Sequence, residues 1–196
     1  MNTKALRALT DAQLAQAVCA GQRGAFDELY RRWSPKLYNY FWKMLWQDAD
    51  RAEDATQDCL LRVVENLERY DSTYAFSTWI YTIAYNMCKN TYRKQQHTQQ
   101  AMEALTHDAA SKSLRPETPA PETALDQAVY HTHLKQAVQT LNEEQQTLIA
   151  LRFEEELELK AIADVLGIPE GTVKSRLHYV LKKLAVQLAP IAPHYR

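Results

Sequence analysis

The sequence predicts an all-α protein made of two small helical domains joined by a flexible linker. Three observations carry that reading. First, the 196 residues include only 4 Gly and 7 Pro, and long runs of Ala, Leu, Gln, Glu, Lys and Arg fill the rest with strong helix formers. Second, the composition breaks between His97 and Thr123, where HTQQAMEALTHDAASKSLRPETPAPET shows no sustained apolar period and Pro116, Pro119 and Pro121 exclude a helix. Third, Glu158 to Leu184 has the pattern of a helix-turn-helix. The boundaries that follow are 1–96 for the N-terminal domain, 97–123 for the linker and 124–196 for the C-terminal domain.

Four helices are expected in the N-terminal domain. Thr10 with Gln13 forms a capping-box signature for a short helix that ends near Gly21. A second helix starts near Gly24 and carries Phe26, Leu29, Tyr30, Trp33, Leu37, Phe41 and Met44, with Pro35 placed to kink it. A third runs from about Asp50 to Leu67, with Ala52, Ala55, Thr56, Cys59, Leu60, Val63 and Leu67 as its apolar stripe. A fourth is capped by Ser77 and runs to about Lys94, with Ile80, Ile83, Ala84, Met87 and Cys88 facing a core. In the C-terminal domain a helix spans about Ala124 to Leu141. Asn142 with Gln145 then caps the next one, NEEQQTLIALRF.

The helix-turn-helix follows. Glu158 to Leu166 puts Ile162, Ala163 and Leu166 on one side, and Gly167 supplies the residue that accepts φ > 0 after a helix end. Ile168 is placed to plug the corner, and Pro169 pre-sets φ for the next helix. That helix starts near Gly171 and turns Val173, Leu177, Val180, Leu181, Leu184 and Leu188 inward. Its other face carries Lys174, Ser175, Arg176, His178, Tyr179, Lys182 and Lys183, which are phosphate-binding cations and base-edge hydrogen-bonding groups on a rod that fits a major groove. A surface hairpin with a solvated basic face would share the charges, but not the Gly-Ile-Pro turn between two apolar faces.

The bulk numbers narrow the function. The formal net charge is −1, so the cations are local, and either a DNA contact by this chain alone is weak or a partner supplies much of the affinity. Cys19, Cys59 and Cys88 are widely spaced and read as reduced thiols used as small buried apolar groups. No apolar run reaches the ~20 residues of a membrane span, and the start lacks the apolar core of a signal peptide, so a cytoplasmic location is expected. The sequence shows no Gly-rich phosphate loop and no metalloprotease or hydrolase motif. His131 and His133 point to different sides of a helix, while His97, His107 and His194 fall in the linker or tail. Neither an enzyme, a metal site nor a cofactor is expected.

Two further faces carry chemistry. On the third helix Leu61 stands among Glu53, Asp54, Gln57, Asp58, Arg62 and Glu65, which suits docking on a basic protein surface. Around the fourth helix, Tyr70, Tyr74, Phe76, Trp79, Tyr81 and Tyr85 sit close together. Trp79, Thr82, Asn86, Lys89 and Arg93 recur on one face, an aromatic and cationic mixture that suits unpaired bases. Core packing is the commoner fate of such aromatics, and Trp79 is expected to be partly core. The Tyr70–Phe76 loop is expected on the surface.

GAFDELYRRW, RAEDATQDCLLRVVENL, FSTWIYTIAYNMCKNTYRKQ, a Pro-containing linker, LNEEQQTLIALRF and LKAIADVLGIPEGTVKSRLHYVLKKL occur in that order. Together they resemble the extracytoplasmic-function (group four) sigma factors of the sigma-70 family, two-domain subunits of bacterial RNA polymerase. The resemblance spans about residues 20 to 188, and the E-D-x-x-Q-D, F-S-T-W-I-Y-x-I-A-x-N and G-T-V-K-S-R runs are its most specific parts. Ala55 and Cys59 are smaller than the family's usual apolar residues, Asp58 replaces a usual Glu, and the loop Asp71–Tyr74 is this chain's own.

The resemblance implies an alternative sigma factor that is monomeric when free, with core polymerase (β′ and β subunits), promoter DNA and an anti-sigma factor as partners. It implies polymerase docking through Asp54, Gln57, Asp58, Leu61 and Arg62. It implies reading and melting of the −10 element through Tyr70, Tyr74, Phe76, Trp79, Asn86, Lys89 and Arg93. Reading of the −35 element falls to Thr172, Lys174, Ser175, Arg176, His178, Tyr179 and Lys182. A stand-alone helix-turn-helix regulator needs a dimer face or an effector pocket, and a helical protein-binding adaptor leaves the basic helix face unexplained.

Overall fold

A computed structural model describes residues 3–103 and 125–190, and every described element is helical. The N-terminal unit consists of α1 (Thr3–Arg7), α2 (Asp11–Cys19), α3 (Ala25–Met44), α4 (Ala49–Asn66), a 3₁₀ turn (Leu67–Arg69) and α5 (Phe76–Glu103). The C-terminal unit consists of α6 (Leu125–Gln139), α7 (Glu143–Ile149), a π-helical turn (Ala150–Glu154), α8 (Leu159–Leu166) and α9 (Glu170–Leu188).

Both capping boxes form. The Thr10 hydroxyl accepts from the Gln13 N–H at 3.2 Å, and the Gln13 side chain accepts from the Thr10 N–H at 2.8 Å. Asn142 and Gln145 do the same at the start of α7. α3 continues through Pro35 as one helix, because Trp33 and Leu37 on either side of it are buried and hold both halves against the core. Asp48 caps α4 by accepting from the Arg51 N–H.

Several elements depart from the sequence pattern. α5 begins at Phe76 rather than at a Ser77 cap, since Phe76 itself is drawn into the core. α5 also runs on to Glu103, so residues 97–103, expected in the linker, are helical, and His97 lies on that helix. The rest of the expected linker, with His107 and the three prolines, lies outside the described residues, as does His194. The NEEQQTLIALRF helix changes to a π-helical turn at Ala150, which keeps Leu148 and Leu151 buried together. Cys59 and Cys88 are buried as expected, but Cys19 is exposed at the end of α2. Burial pushes the Cys59 thiol up to about 12 and also raises Cys88.

The main core joins the two units. Trp33, Leu37, Tyr40 and Phe41 of α3 meet Cys59, Leu60 and Val63 of α4 and Ile80, Tyr81 and Ala84 of α5. Leu148, Leu151, Ile162, Val165 and Val173 of the C-terminal unit belong to the same apolar cluster. A smaller cluster of Ala137, Leu141, Val180, Leu184 and Leu188 ties α6 to α9.

A polar knot holds α2 to α3. Glu28 is buried and accepts from both Arg31 and Arg32, while Arg32 also pairs with Asp11 at 2.8 Å. Trp33 Nε1 donates to the other Asp11 oxygen at 3.1 Å. The hydrogen bond from Arg31, followed by those from Arg32, holds the Glu28 carboxyl down at about 2 against an ordinary 4.5. The unfolded state therefore takes up the proton first as pH falls, and the stability Glu28 confers above pH 4.5 is lost progressively toward about 2. Glu28→Gln is expected to lower the melting temperature at neutral pH and to flatten the acid limb in that window. Thermal melts from pH 2 to 7 measure both.

Candidate nucleic-acid interface and docking face

α4 buries Ala52, Thr56, Cys59, Leu60 and Val63, and that choice of face leaves its acidic side in solvent. Asp54, Gln57, Asp58 and Arg62 are all exposed there, and Leu61 is 60% exposed at the centre. Val64 is exposed as well. Sequence reasoning missed it, although its i+3 spacing from Leu61 marks the same side of the helix.

The loop between the 3₁₀ turn and α5 is held from beneath. The Tyr70 hydroxyl donates to the Tyr74 carbonyl at 2.8 Å, and the Asp71 carboxylate accepts from the Thr73 N–H at 2.9 Å. That backbone bond holds Asp71 below the ordinary carboxylate range. Phe76, expected to offer a stacking face, is 4% exposed, so that expectation fails. Its ring lies edge-on to Trp33 at 5.6 Å and to Tyr70 at 5.3 Å, and tilted against Trp79 at 5.6 Å. Tyr70 and Trp79 are half-buried in the same cluster. Burial raises the Tyr70 phenol. Tyr74 alone of this group stands out, 54% exposed at the loop tip. Asn86, Lys89 and Arg93 are exposed along α5.

In the helix-turn-helix, Gly167 adopts φ 65, and the N–H groups of Gly167 and Ile168 both donate to the Ala163 carbonyl. Ile168 is half-buried against the core, as its corner position suggests. Pro169 takes the cap position and α9 starts at Glu170. Lys174, Ser175, Arg176, His178, Tyr179 and Lys182 are exposed, and Thr172 is half-buried. The Ser175 hydroxyl donates to the Thr172 carbonyl at 3.0 Å. Arg176 pairs with Glu144 of α7 at 2.8 Å. Leu181, expected to face inward, is 41% exposed because α6 covers the neighbouring Val180–Leu184 strip instead.

Two family models match the chain, Sigma-70 region 2 over residues 29–98 and Sigma-70, region 4 over residues 137–185. The ECF RNA polymerase sigma factor SigW of Bacillus subtilis (strain 168) is 30% identical over 171 residues, covering 86% of this chain and 91% of that one. This chain belongs to the ECF sigma factors. It is an alternative sigma factor that directs transcription initiation. Similarity over nearly the whole length sets aside the readings as a stand-alone regulator or an adaptor.

Two solved structures share the sigma factor's fold. The sigma factor RpoE in complex with the anti-sigma factor NepR from Bartonella quintana has a TM-score of 0.64 at 21% identity, covering 85% of this chain and 98% of that one. CnrH in complex with the cytosolic domain of CnrY has a TM-score of 0.65 at 19% identity, covering 92% and 97%.

The different fates of the two loop aromatics give a direct test. Phe76→Ala empties a packed site and is expected to cost about 3–5 kcal/mol of folding free energy. Tyr74→Ala removes a solvent-exposed ring and is expected to change stability by less than about 0.5 kcal/mol. Urea unfolding of the two variants compares them. Equal destabilisation would mean that Tyr74 is a structural residue.

Proposed function

We propose that this sigma factor divides its work among three exposed faces. The acid-rimmed leucine of α4, with Asp54, Gln57, Asp58, Leu61 and Arg62, docks on a basic surface of core polymerase, and Val64 extends its apolar centre. The loop tip at Tyr74, backed by Tyr70 and Trp79, captures bases leaving the −10 duplex while Asn86, Lys89 and Arg93 hold the strand. The outer face of α9, with Thr172, Lys174, Ser175, Arg176, His178, Tyr179 and Lys182, reads the −35 duplex. The N-terminal unit then serves docking and −10 melting and the C-terminal unit −35 recognition.

The observation that carries this reading is the exposure pattern. Leu61, Tyr74 and Tyr179 are large apolar or aromatic groups left in solvent at 60%, 54% and 62%, each within a different face. Around Leu61 the neighbours are mainly acidic, around Tyr179 mainly cationic, and Tyr74 precedes the exposed polar and cationic side chains of α5. Isolated exposed apolar groups are ordinary, but three with distinct charged surroundings fit three different partners.

A net charge of −1 supports delivery by the polymerase rather than independent DNA binding. Action beside polymerase places the protein in the cytoplasm, and none of the described helices is long and apolar enough to cross a membrane. The RpoE structure is a complex with the anti-sigma factor NepR, which supports an anti-sigma partner here.

Recruitment and reading separate experimentally. Asp58→Arg reverses a charge opposite the buried stripe of α4, so the fold should hold and core-polymerase affinity should fall at least about tenfold, or 1.4 kcal/mol. Pull-down and thermal melting measure the two together, and full binding by the folded variant sinks the docking face. On α9, His178→Ala is expected to relax preference at one −35 position at a cost of about 1–3 kcal/mol. Lys182→Ala should instead weaken all sequences evenly and lower the salt slope by about 1. A promoter-library selection with reconstituted holoenzyme distinguishes them; the same pattern for both would remove the division between readers and anchors.

A further inference from the structure

Arg176 differs from the other cations of α9. Its Nη1 donates to Glu144 Oε2 of α7 at 2.8 Å. Lys174, Lys182 and Lys183, by contrast, form no ion pair among the described residues. Both partners of the pair stay open to solvent, Arg176 at 46% and Glu144 at 62%. They line a groove of about 450 Å³ with two walls. Glu144 and Gln145 of α7 form one wall, and Ser175, Arg176 and Tyr179 of α9 form the other. An acid from a different helix thus stands beside the face assigned above to the −35 duplex.

The backbone that carries Glu144 is well fixed. The Asn142–Gln145 capping box closes the first turn of α7. The Gln146 amide donates to the Leu141 carbonyl at 2.8 Å and ties down the turn before it. Leu148 of α7 is buried in the same cluster as Val173 of α9. The Glu144 carboxylate therefore approaches α9 from a set position. A guanidinium is a planar fork with five donors. The bond to Glu144 uses Nη1 and leaves Nε and Nη2 for DNA. A fork already held in one orientation loses little freedom on contact. The pairing also cancels much of its charge, so Arg176 adds little to sequence-independent attraction, which falls to the three lysines.

We propose that Glu144 is a positioning residue for −35 recognition: it holds the Arg176 fork in one orientation and so seats α9 in one register on the duplex. This rests on the −35 assignment given above. Contacts that fix register decide which base edges the neighbouring side chains meet, and so they govern discrimination. The pair then sets how well a matched −35 element is told from a mismatched one, while Lys174, Lys182 and Lys183 set how tightly any duplex is held. Glu144 lowers affinity for DNA in general and raises selectivity, two effects of opposite sign from one carboxylate.

Holoenzyme reconstituted with the full chain tests this on a −35 library at several salt concentrations. Glu144 also lies in a groove with Lys89 and Arg93 of α5, so every promoter in the library shares one −10 element. Glu144→Ala is expected to lower the preference for matched over mismatched −35 elements about fivefold, at the same positions as Arg176→Ala. It should also steepen the salt dependence by about one unit of slope, because an acid leaves and Arg176 becomes a free cation. The double variant should lose no more preference than Arg176→Ala alone. Glu144→Gln keeps an oxygen that accepts from Nη1, so it should retain most of the preference yet show the steeper slope. Thermal melts confirm that each variant is folded. A Glu144→Ala holoenzyme with the parent's preference, a loss at other positions than those of Arg176→Ala, or additive losses in the double variant overturn the inference alone. An Arg176→Ala holoenzyme with the parent's preference removes Arg176 from the −35 assignment itself, and the inference falls with it.

Discussion

The burial of α5 on two sides is the constraint on which the rest of this structure depends. Phe76, Ile80, Tyr81, Ala84, Cys88 and Tyr92 are all buried along it. α3 and α4 meet one side of that seam and α8 another. Each large apolar side chain removed from water contributes roughly 1.5–3 kcal/mol before ordering entropy is subtracted. The seam is therefore comparable in size with the whole net stability of an ordinary domain. It also fixes the rotation of α5, and that rotation decides which residues remain in solvent: Asn86, Lys89 and Arg93 face out because Ala84 and Cys88 face in.

The same seam explains how the loop before α5 is presented. Phe76 is the anchor, gripped by Trp33, Tyr70 and Trp79, and the Tyr70 hydroxyl reaches back to the Tyr74 carbonyl. The loop is thus a short arch with a rigid aromatic base and one free ring at its tip. A base-capturing surface benefits from such support, because a ring that is already held loses little freedom when a base stacks on it. An aromatic-rich segment here divides its labour: most of the rings build the platform, and Tyr74 remains open.

Charge is arranged on a similar economy. The chain is almost neutral, yet acids gather on α4 and at the start of α7 while cations gather on α5 and α9. Glu144 bonded to Arg176, and Glu154 to Lys43, place acid against base across helices distant in sequence. Exposed pairs of this kind add little stability on their own. Their effect is on orientation, holding helices distant in sequence in one arrangement.

Local rules were legible in the sequence wherever a few neighbouring residues settle the outcome. Thr10 with Gln13, Asn142 with Gln145, and Gly167 at φ 65 are satisfied within one turn of chain, so pattern alone identified them. The amphipathic stripe of α4, and Leu61 outside it, followed from helical periodicity. The order of motifs likewise pointed to the sigma-factor family before any fold was known. Tertiary structure decided the matters that depend on distant partners. Phe76 is buried because Trp33 of α3 arrives beside it, and Leu181 is exposed because α6 covers its neighbours and not it. Cys19 is exposed at the end of α2, whereas Cys59 and Cys88 lie in the main core. The docking of the helix-turn-helix unit on α5 left no periodic trace at all. It comes from two apolar surfaces, more than sixty residues apart in sequence, each of which also reads as the inner face of its own domain. Sequence determines which faces are apolar, while only the assembled chain determines what covers them, since burial is a property of pairs of surfaces rather than of either one.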